Sequence, residues 1–276
     1  MYRFQVGALE CASLNDGDLL LPPEIIFPVS RRAEWPTFRL DDQGRMAIAI
    51  NCLLVKSGGQ TVLVDTGNGT KLSNAWAGGG LLLSELAAAG VNPSDIDLVV
   101  VTHTHGDHIG GLTSVRDGRL TLTFPRARYV IPRADWDYFT APERVQQMAF
   151  VRESLLPLAD TGRLDLVEGQ ADVTPDMRLL PTPGHTPGLS VVFVSSQGEM
   201  LLQMGDLFHH RVQIEDPGIV RQLDLLPDLV PGSRQKVIQL ALERSAQVFA
   251  VHESSPGLGL MAREGERVVF RPKGGF

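Results

Sequence analysis

Cysteine is nearly missing: Cys11 and Cys52 are the whole supply in 276 residues, and neither belongs to a Cys-x-x-Cys pair. That excludes a disulfide-built scaffold and a thiolate-rich structural zinc site, and points to buried free thiols in a reducing compartment. No apolar run approaches the ~20 residues a membrane-crossing helix needs, so no membrane partner is expected. The segment Met1-Tyr-Arg-Phe-Gln-Val-Gly7 lacks the apolar core of an export signal, which makes a cytoplasmic location the expectation. Positive charge is in short supply too. The formal charge is −7, whereas nucleic-acid binding calls for a basic face, so nucleic acid is excluded as a partner. Linkers and low-complexity stretches are also lacking. With 43% hydrophobic residues the chain reads as one globular domain over residues 1–276.

What is present is concentrated. Residues 101–111 read Val-Thr-His103-Thr-His105-Gly-Asp107-His108-Ile-Gly-Gly, so three of the seven histidines and one aspartate share a single turn. The turn follows the apolar run Ile96-Asp-Leu-Val-Val-Val101, a strand that would deliver side chains to a sheet edge. Gly110 and Gly111 then remove bulk where the chain must turn away. Imidazole with carboxylate suits a borderline-soft divalent cation such as zinc.

Further ligands sit at other strand ends. Residues 3–9 alternate apolar and polar as a first strand, and Met46–Val55 with Thr61–Asp65 form a hairpin across Ser-Gly-Gly. The hairpin ends at Asp65, placed to hydrogen-bond a ligand histidine from behind. Leu81–Ala89 reads as a helix closed by Gly90, and residues 120–131 as two short strands. Arg133–Thr140 and Pro142–Leu158 are helical patterns that offer Tyr138 and Phe139 as core or pocket residues. The strand Met177–Pro181 runs into Thr-Pro-Gly-His185-Thr-Pro-Gly188, and the hairpin 189–204 ends at Gly205-Asp206. A helix over Ser233–Ala246 precedes a last strand, Val248–Val251, and His252. Between about residues 15 and 45 the pattern is irregular, with prolines at 22, 23, 28 and 36, and reads as a long loop. Its Phe27 and Trp35, with Phe208 and His209 farther along, are candidates to touch a substrate. Strands alternate with helices, which implies an α/β domain with helices covering sheets.

Seven ligands, His103, His105, Asp107, His108, His185, Asp206 and His252, exceed the four of a structural zinc. Two adjacent cations sharing a carboxylate would use all of them. The set His103-x-His105-x-Asp107-His108, with His185, Asp206 and His252 following, resembles the metallo-β-lactamase-fold hydrolases over nearly the whole chain from Met46 onward. That resemblance implies an αββα sandwich of two mixed sheets, with two metals in an edge groove. It assigns His103, His105 and His185 to one metal and Asp107, His108 and His252 to the other, with Asp206 bridging. The stretches 205–217 and 252–259 are similar to methyl parathion hydrolases and quorum-quenching lactonases, where N-terminal loops can also serve a homodimer interface. Those lactonases have a tyrosine where His209 stands.

The chemistry expected is hydrolysis. Two cations about 3.5 Å apart lower the pKa of a bridging water toward ~7 and polarise the oxygen of a small ester-like substrate, a lactone or phosphotriester. Asp206 bridges, and Asp107 could pass a proton to the leaving group. Zinc is preferred over iron, manganese or cobalt. A thioester hydrolase of the glyoxalase II type is the nearest alternative, although no basic cluster near the C-terminus would grip glutathione. A metal-dependent sensor without turnover is the alternative of another class.

Overall fold

The computed structural model describes residues 1–30, 40–70 and 78–273. Strands β1 (Tyr2–Val6), β2 (Leu9–Leu21), β3 (Met46–Ser57), β4 (Gln60–Val64) and β5 (Leu98–Val100) build most of one sheet. A separate hairpin, β6 (Thr113–Arg116) and β7 (Arg119–Leu122), follows, and β8 (Arg128–Pro132) and β9 (Leu164–Val167) complete the sheet in the order β1-β2-β3-β4-β5-β8-β9. The second sheet takes its strands in chain order: β10 (Ala171–Thr174), β11 (Met177–Pro181), β12 (Ser190–Ser196), β13 (Glu199–Gln203), β14 (Gln247–Phe249), β15 (Leu258–Glu264) and β16 (Arg267–Pro272). Both sheets are mixed. The strands β4, β5, β8 and β9 run parallel, as do β13 and β14, while the remaining neighbours are antiparallel.

Alternation along each strand explains the layers. In β4, Val62 and Val64 face the second sheet while Leu63 faces helices, and in β5 Leu98 and Val100 divide from Val99 in the same way. Opposite them Met177, Leu179, Val192, Val194, Leu201 and Phe249 close the layer between the sheets. The outer face of the first sheet packs on helix α1 (Leu82–Ala88) through Leu82 and Leu86. The outer face of the second packs on the C-terminal helix, Val230–Arg244, through Val237, Ile238 and Ala241. Each fully buried Leu or Val contributes about 1.5–3 kcal/mol, so three apolar layers hold the sandwich rigid. The αββα architecture expected from the sequence is the one observed. Among the described residues, no helix is long and apolar enough to cross a membrane.

Several expectations need correction. The loop expected from about residue 15 begins only after Leu21, because Asn15–Leu21 continue β2. The polar run Asn15-Asp-Gly-Asp18 imitates a turn but forms a bulge in the pairing with β3. Buried Asp16 fills that bulge, its Oδ2 accepting Asn68 N–H and its Oδ1 accepting Leu82 N–H, each at 2.8 Å. The single helix expected over Pro142–Leu158 is instead a short α-turn (Pro142–Val145), a π-helical turn (Val151–Leu155) and a 3-10 turn (Leu156–Leu158). The final hairpin β15–β16 was not anticipated. Its strands are half-exposed and charged, which hides the apolar alternation.

Both cysteines are buried and unpaired. Burial pushes the Cys11 thiol up to about 12 and Cys52 well above its ordinary range. Neither thiol should therefore react with Ellman's reagent in native protein at pH 8, and both should react after unfolding. A fast-reacting thiol in the native state would contradict this packing.

Candidate metal centre

The seven expected ligands come together at one edge of the sandwich. His103 leaves β5, while Asp107 and His108 lie on a one-turn helix, Gly106–Ile109, whose N-cap is His105. His185 sits in the turn after β11, Asp206 in the turn after β13, and His252 just after β14. The chain can leave this crowded corner only because of its glycines. A Cβ on Gly110 would lie 2.0 Å from the Asn68 carbonyl oxygen, and one on Gly111 would lie 2.1 Å from that of Thr66.

Two donor groups result, His103, His105, His185 and Asp206 in one and Asp107, His108, Asp206 and His252 in the other. Asp206 belongs to both and divides its oxygens between them. Its Oδ1 lies 2.8 Å from His108 Nε2 and from His252 Nε2, and its Oδ2 lies 3.1 Å from His185 Nε2. Asp107 Oδ2 stands 3.6 Å from both His108 Nε2 and His252 Nε2.

The far sides of the rings decide their protonation. His108 Nδ1 faces the Asp65 carboxylate at 3.0 Å, His185 Nδ1 faces Asp224 Oδ1 at 2.9 Å, and His252 Nδ1 faces the Ala49 carbonyl at 2.8 Å. These acceptors draw the ring N–H outward. His103 Nδ1 meets Thr102 Oγ1 at 3.3 Å, and that hydroxyl already donates to Asp65, so it accepts from the imidazole. The lone pairs of four Nε2 atoms therefore point inward beside carboxylate oxygens. His105 Nδ1 joins them, 2.8 Å from His185 Nε2. Buried His108 Nε2 has no hydrogen-bond partner despite its short approach to Asp206. Lone pairs and anionic oxygens crowded together without protons between them are suited to cations, so the donor set fits two metal ions.

At His103 and His105 the electrostatics agree, while the carboxylates around His108 draw it the other way. Burial holds the His103 and His105 pKa values well below the ordinary value, keeping both rings neutral. Burial also opposes charge on His108, but Asp206, Asp107 and Asp65 outweigh it and push its pKa well up. Asp206 stays ionised although burial disfavours its charge, because His252, His108 and His209 surround it.

Asp65 lies where it was expected, behind His108. Other supports left no trace in the sequence. Asp224 behind His185 sits in an unremarkable stretch. Asp135 accepts Thr104 N–H and the Thr186 hydroxyl, both at 2.9 Å, tying the first ligand turn to the His185 turn. Asn51 donates to the carbonyls of Val251 and Glu253, each at 2.8 Å, and so clamps the chain around His252.

A cavity of about 350 Å³ opens over the centre, and His105, Asp107, Asp206, His209 and His252 reach into it. Its walls are mostly apolar. Leu19, Leu21, Ile25 and Ile48 form one side, and Tyr138, Phe139, Met148 and Phe150 form another. His209, buried against the centre, has Nε2 2.8 Å from Asp206 Oδ2, while His210 turns its ring edge toward Phe27. Phe27 and Phe208 do not line the cavity. Both are buried in apolar clusters, because Phe27 packs among Leu19, Ile26 and Ile48, and Phe208 packs against the C-terminal helix. Trp35 lies outside the described residues.

Residues 46–270 match the model of the metallo-beta-lactamase superfamily. The chain belongs to that superfamily. As a member it is a metal-dependent hydrolase, and its relatives include lactonases. An N-acyl homoserine lactonase of Bacillus thuringiensis is 24% identical over 220 residues, covering 73% of this chain and 80% of the relative. Among solved structures, the dizinc quorum-quenching lactonase AidC superposes with a TM-score of 0.82 at 27% identity, covering 99% of this chain and 97% of that one. The hydrolase AbOPH shares the fold with a TM-score of 0.83 at 22% identity, covering 100% and 98%.

For this family member, replacing Asp224 by alanine removes the acceptor that orients His185. Affinity for the first cation should fall by about 10–100-fold, read by chelator competition. Unchanged affinity would show that the His185 ring is oriented without it.

Proposed function

We propose that this chain is a dinuclear zinc hydrolase of lactones and related small esters, with N-acyl homoserine lactones as the first candidates. The observation that carries the proposal is the joining of two histidine–carboxylate donor groups through Asp206 beneath an apolar cavity. When bound, two such cations supply an acidified water and a Lewis-acid contact for the acyl oxygen. The names of the lactonase relatives support the substrate class. So does the cavity, whose aliphatic and aromatic walls would bury an apolar acyl arm and exclude water from the reacting carbon.

The chain's own groups divide the remaining work. Asp107 lines the cavity beside His108 and His252, and Oδ1 is its oxygen available to pass a proton to the leaving alcohol. His209 reaches the same space from the Asp206 side, where its Nε2 lies 2.8 Å from Asp206 Oδ2. Asp65, Asp224 and Thr102 hold the rings in the tautomers the centre needs, so little reorganisation remains for the reaction step. A phosphotriester makes similar demands of the centre, and a polarised phosphoryl oxygen would occupy the place of the acyl oxygen.

The test is a panel of acyl homoserine lactones of rising acyl length, with paraoxon and a thioester alongside, on zinc-loaded protein of measured metal content. Lactones should be the preferred substrates, with kcat/KM rising from short to medium acyl arms. His105→Ala and Asp206→Ala should lose metal and at least a thousandfold in rate together. Full turnover by metal-free protein, or a panel in which only the thioester reacts, would refute the reading.

A further inference from the structure

Two arginines lie near the centre, one buried and one partly buried, and they are treated differently by the fold. Arg234, on the C-terminal helix, is 1% exposed, and its guanidinium is consumed by backbone. It donates to the carbonyls of Leu207 at 2.8 Å, Pro217 at 3.1 Å and Ile219 at 2.5 Å. These bonds brace the segment that carries Asp206 and His209. Arg221 has no such set. Its side chain is 9% exposed and lines the cavity, yet Nε is buried without a hydrogen-bond partner. Its Nη1 contacts His209 Nε2 and stands 3.7 Å from Asp206 Oδ2, which is longer than a hydrogen bond.

Cations held by Asp206 would take up the charge of that carboxylate. The positive charge of two divalent ions also exceeds what Asp107 and Asp206 return, so Arg221 would stand beside the centre without an anion of its own. A buried guanidinium with a free donor is costly unless something else completes it. Under the ester-hydrolase reading above, on which this step depends, such an anion is made in the cavity at every turnover. Water adds to the acyl carbon, the acyl–oxygen bond breaks and the alcohol oxygen takes a proton. The acid remains as a carboxylate, and its own proton goes to solvent.

We propose that Arg221 is a carboxylate-binding residue of the cavity, holding the acid that ester or lactone hydrolysis leaves beside the centre. Its planar fork matches a carboxylate, and the apolar walls strengthen the attraction by excluding water. Ligands with a carboxylate head and an apolar tail should therefore bind more tightly than neutral ligands of the same shape. Arg221 should also govern product inhibition.

The test compares octanoate with octanamide by calorimetric titration of the zinc-loaded protein, with metal content measured on each sample. Arg221→Gln should keep two zinc ions and weaken octanoate about tenfold or more, while octanamide changes less than threefold. Arg221→Lys, which keeps the charge but loses the fork, should fall between. Unchanged octanoate affinity, or equal weakening of both ligands, overturns the proposal. If Arg221→Gln sheds zinc, the same comparison on Arg221→Lys decides. Loss of zinc from both variants would make Arg221 a brace for Asp206 and also overturn it. Because the titration needs no turnover, a negative lactone panel would refute the hydrolase reading separately.

Discussion

The carboxylate of Asp65 collects hydrogen bonds in a space closed to water. Its Oδ1 accepts Thr102 N–H at 2.8 Å, and its Oδ2 faces the Thr102 hydroxyl at 2.8 Å, His108 Nδ1 at 3.0 Å and the Gln203 amide at 3.2 Å. Through Thr102 the same carboxylate also sets the tautomer of His103, and thus reaches both donor groups. The residue adopts φ 61°, a left-handed conformation that costs a non-glycine residue about 1–3 kcal/mol, although aspartate tolerates it better than most. A strained conformation at the end of a core strand is maintained only where the surroundings fix it. Here β3 and β5, which flank β4 on either side, supply that fixation.

The scaffold is what lets one carboxylate do this. Parallel β4, β5 and β8, and parallel β13 and β14, end at the same edge, so their following turns converge where the two sheets meet. Each turn is then tied to another by a buried polar group rather than left to its own flexibility. Asp135 joins the turns of His103 and His185, and Asn51 joins β3 to the segment around His252. Donor atoms from four separate segments are thereby held in place by packing that never touches a ligand.

This division explains which parts of the molecule could be read from the sequence. Strands whose faces are buried against helices or the opposite sheet, such as Val62–Val64 and Leu201–Leu202, show themselves by β-branched and leucine-rich runs. The seven donors show themselves by residue type and by their position at the ends of those runs. Asp65 was legible for the same reason. Asp224, Asp135 and Asn51 were not, because a supporting aspartate or asparagine is chemically the same as one in any surface turn. Its role exists only in the contacts that folding creates. The cavity was legible least. Leu19 and Leu21 belong to a strand masked by the Asn15–Asp18 bulge, while Phe27, the more conspicuous apolar residue, went to the core.

Apolar walls and a crowded charge centre reinforce one another here. Excluding water lowers the local dielectric, which strengthens every interaction between Asp206, Asp107, Arg221 and whatever the cavity holds. The same exclusion makes unpaired charge expensive, so each buried ionic group must have a partner at every stage of a reaction. His103 and His105 meet that demand by staying neutral, since burial opposes their charging. Arg234 meets it with three carbonyls. Arg221 is left as the cationic side chain facing the cavity whose Nε has no hydrogen-bond partner among the described residues, and under the proposal an anion formed at the centre completes it.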